Sequence, residues 1–133
     1  MGEDRPRLLA VTVLTSMDSK SIREVGIAGP PQSRVLQLAK LAKKSGVDGV
    51  VASVQEAKAI RKACGREFLI VTPGVRPKDK SASSKNDDQA RTATPREAIK
   101  AGADFLVVGR PILAAADPRA AATQIVEEIA GAK

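Results

Sequence analysis

The sequence has no histidine, no tryptophan and no tyrosine, and it has one cysteine, Cys64. Each absence removes a class of chemistry. Without histidine the chain holds no Ser-His-Asp or Cys-His nucleophile system and no histidine-ligated zinc or iron of its own. A single cysteine leaves neither a disulfide within the chain nor a thiolate metal cluster. Long apolar runs are lacking too, since none approaches the roughly 20 residues that span a bilayer. The polar start Met1-Gly2-Glu3-Asp4-Arg5 has no signal-peptide core. The expectation is a cytoplasmic protein that does not enter a membrane.

What remains is 133 residues, 43% hydrophobic and 28% charged, which suits one soluble domain over residues 1–133. Lysine and arginine number 22 against 15 acidic residues, a net charge of +7. Nucleic acid is not the expected partner, because the two aromatics, Phe68 and Phe105, both lie in apolar runs where a core position is expected, leaving nothing to stack on bases. A basic surface serves equally to attract a small phosphorylated ligand or an acidic partner.

Leu8 to Leu14 is nearly continuous in apolar and β-branched residues, the pattern of a strand buried on both faces of a parallel sheet. Thr15 to Asp18 offers capping residues, and a short mixed stretch runs on through Val25. From Gln32 to Ser45 apolar residues recur at helical spacing, with Lys40, Lys43 and Lys44 near the C-terminal end, where cations oppose the dipole. Gly49 to Ala52 predicts a second strand. Ser53 to Glu56 reads as a capping box opening a helix that runs to about Cys64. Phe68 to Thr72 predicts a third strand. Thr94-Pro95-Arg96-Glu97 is another capping box, Phe105 to Val108 a fourth strand, and Asp117-Pro118 the start of a last helix. Residues 77–93 carry four Lys/Arg, three Asp and three Ser with no large apolar side chain, so a long mobile loop is expected there.

Gly46-Val47-Asp48-Gly49 and Gly102-Ala103-Asp104-Phe105 repeat a Gly-x-Asp step before an apolar strand, which suggests a recurring helix-to-strand junction rather than a site. Four βα units predict an α/β fold with a parallel sheet and right-handed crossovers. Eight-fold barrels, however, usually need about 250 residues. An open four-stranded sheet would keep two unpaired edges and one uncovered apolar face. Either the fold is a small doubly wound sheet, or the chain is half of a larger one.

The strings Leu8-Leu-Ala-Val-Thr-Val-Leu-Thr-Ser-Met17, Val71-Thr-Pro-Gly-Val-Arg-Pro77, Asp87-Asp-Gln-Ala-Arg91 with Thr94-Pro95, and Gly102-Ala-Asp-Phe-Leu-Val-Val-Gly-Arg-Pro-Ile112 resemble the bacterial orotidine 5'-phosphate decarboxylase family in order and spacing. The resemblance implies four βα units forming the C-terminal half of a (β/α)8 TIM barrel, strands five to eight. It implies a lyase of pyrimidine biosynthesis that converts orotidine 5'-phosphate to uridine 5'-phosphate and CO2 with no metal or other cofactor. The family's Asp-x-Lys-x-x-Asp motif is not found. Asp18-Ser19-Lys20-Ser21-Ile22-Arg23 ends in arginine and follows the wrong strand. No catalytic residue is therefore expected in this chain.

By the same resemblance Thr15 contacts the pyrimidine, Arg76 contacts substrate, Gln89 reaches the phosphate from a loop over 77–93 that closes on it, and Gly109 with Arg110 binds the phosphate. A planar guanidinium and a backbone that can approach closely suit a dianionic phosphate. The implied ligand is a nucleotide monophosphate, orotidine or uridine 5'-phosphate. The implied partner is an N-terminal half-barrel or a second copy of the chain, and the implied assembly is a dimer. Two other readings stay open: a non-catalytic, self-associating half-barrel module, and a phosphate-sugar-binding barrel fragment sharing only the last-strand motif. Arg110 could also be a surface arginine, Thr15 a helix cap, Gln89 a solvated loop residue, and Arg76 an ion-pair partner of Asp87 or Asp88.

Overall fold

The computed structural model describes residues 5–14, 16–77 and 92–132. Four short strands, β1 (Leu9–Val11), β2 (Gly49–Val51), β3 (Leu69–Thr72) and β4 (Phe105–Leu106), form one parallel sheet in the order β1-β2-β3-β4. Between and after them run α1 (Ser19–Glu24), α2 (Pro31–Lys44), α3 (Val54–Cys64), α4 (Pro95–Ala101), α5 (Arg110–Leu113) and α6 (Pro118–Ala130). The expected βα rhythm and parallel pairing are both present. Neither a strand beyond β1 nor one beyond β4 pairs with the sheet among the described residues.

Local chemistry accounts for the helix starts. Asp18 caps α1 by accepting from Lys20 N and Ser21 N, at 3.1 and 2.8 Å, so the Asp-Ser-Lys string is the opening of a helix absent from the sequence reading. Thr94 and Glu97 form the reciprocal capping box at α4, with Pro95 in the first turn. At α3 the Ser53 hydroxyl instead accepts from Gln55 N at 3.3 Å, and Glu56 is buried. Asp117 caps α6 through Ala120 N at 3.0 Å.

Strand side chains alternate between two faces. Val50, Ile70 and Thr72 are buried beneath the helices, in a core shared with Val35, Ala39, Ala57, Ile60 and Phe68. Burial of each larger aliphatic contributes about 1.5–3 kcal/mol. The opposite face is uncovered: Leu9, Val11, Phe105 and Val107 are 39%, 61%, 58% and 52% exposed. Two expectations are thereby corrected. The first strand is not buried on both faces, and Phe105 is not a core residue although Phe68 is. Both lie on a sheet whose helices cover one side, and an apolar run does not reveal how many sides are covered.

The repeated Gly-x-Asp step is a packing junction. Asp48 Oδ2 accepts from Leu8 N at 2.7 Å, and Asp104 Oδ2 accepts from Ile70 N at 2.8 Å. In return Asp48 N donates to Leu8 O at 3.0 Å and Asp104 N to Ile70 O at 2.9 Å. Each carboxylate fastens the first residues of the neighbouring strand and holds an arginine, Arg5 for Asp48 and Arg61 for Asp104.

Candidate functional site

At the C-terminal end of β3 the chain turns through Pro73-Gly74, where Gly74 adopts φ +72°, a left-handed conformation that glycine takes without steric cost. Val75 then bridges Ala93 in parallel, and Arg76 N donates to Ala93 O at 2.9 Å. The backbone of Arg76 is thus fixed against the far end of the segment over 77–93. Beside it, Val107 N donates to Thr72 O at 2.9 Å, carrying β4 toward Gly109. Gly109 O accepts from Ile112 N and Leu113 N at 2.9 and 3.1 Å, which makes Gly109 the N-cap and Arg110 the first residue of α5. Pro111 pre-sets the backbone of this short turn.

The two turns enclose a cleft of ≈ 390 Å³ whose walls include Gly74, Arg76, Val107, Gly109, Arg110 and Leu113. Three of the five residues singled out by resemblance therefore meet: Arg76, Gly109 and Arg110. Thr15 and Gln89 lie outside the described residues, as do residues 78–91 of the expected loop. A Cβ built on Gly109 meets no atom of the chain within 4 Å. Nothing in the chain's own packing excludes a side chain there. Val107 and Leu113, both exposed, supply an apolar wall that the sequence reading did not foresee. Their signal was their place, two residues before Gly109 and four after it.

Two arginines, Arg76 and Arg110, line the cleft. The strongest carboxylate–arginine geometry lies at the opposite end, where Arg5 donates to Asp48 at 2.7 and 2.5 Å. The Arg5 side-chain hydrogen bonds, aided by Leu8 N, hold the Asp48 carboxyl down at about 2. That end also has a shallow hollow of ≈ 330 Å³ bordered by Arg7, Lys43 and Arg66, while a ≈ 580 Å³ depression on the open sheet face is lined by Leu9, Leu69, Val71 and Phe105 among others. Among the described residues no group of three or more His, Cys, Asp or Glu gathers as a metal-holding cluster, and no helix is long and apolar enough to cross a membrane.

Comparison with known proteins places this geometry. The model of the Orotidine 5'-phosphate decarboxylase / HUMPS family matches residues 1–125. The chain is 59% identical over 125 residues to an orotidine 5'-phosphate decarboxylase of Geobacter sp. (strain M21), covering 94% of this chain and 50% of that protein. It is 60% identical over 126 residues to the enzyme of Trichlorobacter lovleyi, covering 95% and 51%. The crystal structure of orotidine 5'-phosphate decarboxylase from Lactobacillus acidophilus superposes with a TM-score of 0.75 at 43% identity, covering 93% of this chain and 49% of that one. The chain thus spans about half the length of the curated relatives it matches, and its four βα units are half of a (β/α)8 barrel. It belongs to the orotidine 5'-phosphate decarboxylase / HUMPS family.

Proposed function

We propose that this chain supplies the phosphate- and pyrimidine-binding half of an orotidine 5'-phosphate decarboxylase, with no turnover on its own. The observation that carries the proposal is the convergence of Arg76 and Arg110 on one cleft beyond the C-terminal ends of β3 and β4, the end at which barrel enzymes bind substrate. Two guanidinium groups suit a phosphate dianion, for which each charge-assisted hydrogen bond contributes about 1.5–3 kcal/mol. The open space at Gly109 lets a phosphate oxygen approach the main chain.

In the decarboxylation the bond between the pyrimidine ring carbon and the carboxylate breaks, CO2 leaves, and the electron pair remaining on the carbon takes a proton. The charge network and the proton donor would come from the Asp-x-Lys-x-x-Asp motif of a complementary half-barrel, since the sequence here has no such string. The role of Arg76, Gly109 and Arg110 is to hold the remote phosphate, whose binding energy is expressed in the rate of the chemical step. Thr15 is assigned to the pyrimidine, and Gln89 to closure of the segment over 77–93 on the phosphate.

The test is a decarboxylation assay on the chain alone, on a complementary half bearing the motif alone, and on the two mixed. Turnover is expected only in the mixture, and turnover by the chain alone overturns the proposal. A phosphate-sugar-binding fragment is distinguished by thermal shift: uridine 5'-phosphate stabilises more than ribose 5-phosphate if the pyrimidine is recognised, and equally if it is not.

A further inference from the structure

The positive charge of this chain collects at the end of the sheet away from the Arg76–Arg110 cleft. Helices α2, α3 and α4 each return to the N-terminal ends of the strands, and each finishes in cations: Lys43 and Lys44 on α2, Arg61 and Lys62 on α3, and Lys100 on α4. Arg66 follows in the α3–β3 turn, and Arg5 and Arg7 precede β1. These eight cations stand against three carboxylates, Asp48, Glu67 and Asp104, a surplus of five out of the chain's net +7.

Part of that charge is taken up inside the fold, since cations complement the carbonyl ends of helices. Arg5 is held by Asp48, Arg61 by Asp104 and the surrounding carbonyls, and Lys43 Nζ donates to Cys64 O at 2.7 Å. Arg7 lies 3.9 Å from Asp48. The remainder is not taken up. Lys44, Lys62, Arg66 and Lys100 are exposed, and their side chains make no hydrogen bond or ion pair with any described residue. Helix α3 packs against both α2 and α4, and packed helices lie about 8–10 Å apart, so the four cations follow an arc of about 20 Å across three helix ends. The ≈ 330 Å³ hollow bordered by Lys43, Gly65 and Arg66 lies along it. The arc belongs to the helical layer and not to the bare face of the sheet.

We propose that the ends of α2, α3 and α4 form a docking surface for an extended acidic segment of a partner protein, which lies across Lys44, Lys62, Arg66 and Lys100. Charge complementarity is the argument for that occupant. An extended chain advances about 3.3–3.6 Å per residue, so roughly six residues span the arc. Lysine offers a point charge to single carboxylates, and Arg66 a planar fork to one of them. Neither base stacking nor membrane insertion is provided for here. Phe68 is buried and Phe105 lies on the open sheet face, and neither α3 nor α4 exposes a large apolar side chain.

The surface stands apart from the nucleotide reading, so its test contains no nucleotide. Fluorescence anisotropy of a labelled oligoglutamate peptide titrated with the purified chain is expected to show saturable binding. Raising the ionic strength from about 0.02 to about 0.2 M should weaken it about tenfold, because the charges are exposed. The double variant Lys62→Gln, Arg66→Gln should weaken it at least threefold. Arg23→Gln with Arg119→Gln, which removes the same charge from exposed positions on α1 and α6, should leave it unchanged. Circular dichroism melts are expected to match the wild type for both, and Arg66→Gln alone, outside any helix, should show a partial loss of binding. No saturable binding, or equal losses in the two double variants, overturns the proposal. An oligouridylate or anionic vesicles bound more tightly than the peptide would overturn the acidic polypeptide as the occupant.

Discussion

Arg61, on the last turn of α3, reaches Asp104 at 2.6 Å across 43 positions of the chain. The same guanidinium donates to the carbonyls of Gly65, Arg66 and Phe68 at 2.8–2.9 Å and to Gly102 O at 2.8 Å. One side chain therefore fastens the α3–β3 turn to the α4–β4 turn, and through Asp104 holds the first residues of β3 in register. Arg61→Ala is expected to lower unfolding free energy by about 2–4 kcal/mol, the range for a part-buried charge that satisfies several acceptors. Urea denaturation followed by circular dichroism measures it. A loss below about 0.5 kcal/mol would mean that water replaces the arginine at no cost.

Asp48 provides a pH signature at the other junction. Its carboxyl is held at about 2, against an ordinary 3.8, chiefly by the Arg5 side chain. A depressed carboxyl contributes stability that is complete above the ordinary value and is lost as pH falls toward about 2. Thermal melts between pH 5 and pH 2 should show the wild type losing stability through that window. Asp48→Asn should be less stable at pH 6 and should show a shallower acid decline. Parallel curves for the two proteins would remove Asp48 from the acid response.

Gly49 is set by contact rather than by backbone angle. A Cβ at this position would sit 2.4 Å from Leu69 O and 2.5 Å from Leu69 Cβ. Because Leu69 O belongs to the paired strand, the sheet itself must move to admit a methyl group. Gly49→Ala is expected to destabilise by about 1–3 kcal/mol, the range for overpacking, despite alanine's smaller loss of backbone entropy on folding. A variant as stable as the wild type would show that β2 and β3 are free to separate there.

Much of this architecture was legible because it depends on local chemistry. The Thr94–Glu97 box, the Asp117 cap and the βα rhythm are written in short strings, and the structure places them as expected. The Gly-x-Asp echo was legible as a junction, although the carboxylates' bonds to Leu8 N and Ile70 N were not, since each partner lies 40 or 34 positions away. Helix α1 was missed because six residues with a single buried side chain, Ile22, carry no periodicity. Phe105 was misplaced for a different reason. Its run is as apolar as that of Phe68, and only the arrangement of helices over one side of the sheet decides which ring is covered. At the candidate site, the Gly-Arg step and Arg76 were legible by resemblance, and the cleft that unites them required the fold.

The central claim, that the Arg76–Arg110 cleft grips the phosphate of a nucleotide, is tested most directly by calorimetric titration of the chain with uridine 5'-phosphate and with uridine. The account predicts saturable binding of the nucleotide, at least tenfold weaker binding of the nucleoside, and a loss of about 1.5–3 kcal/mol in nucleotide binding for Arg110→Ala. Equal affinity for nucleotide and nucleoside, or an Arg110→Ala variant that binds the nucleotide as tightly as the wild type, would contradict it.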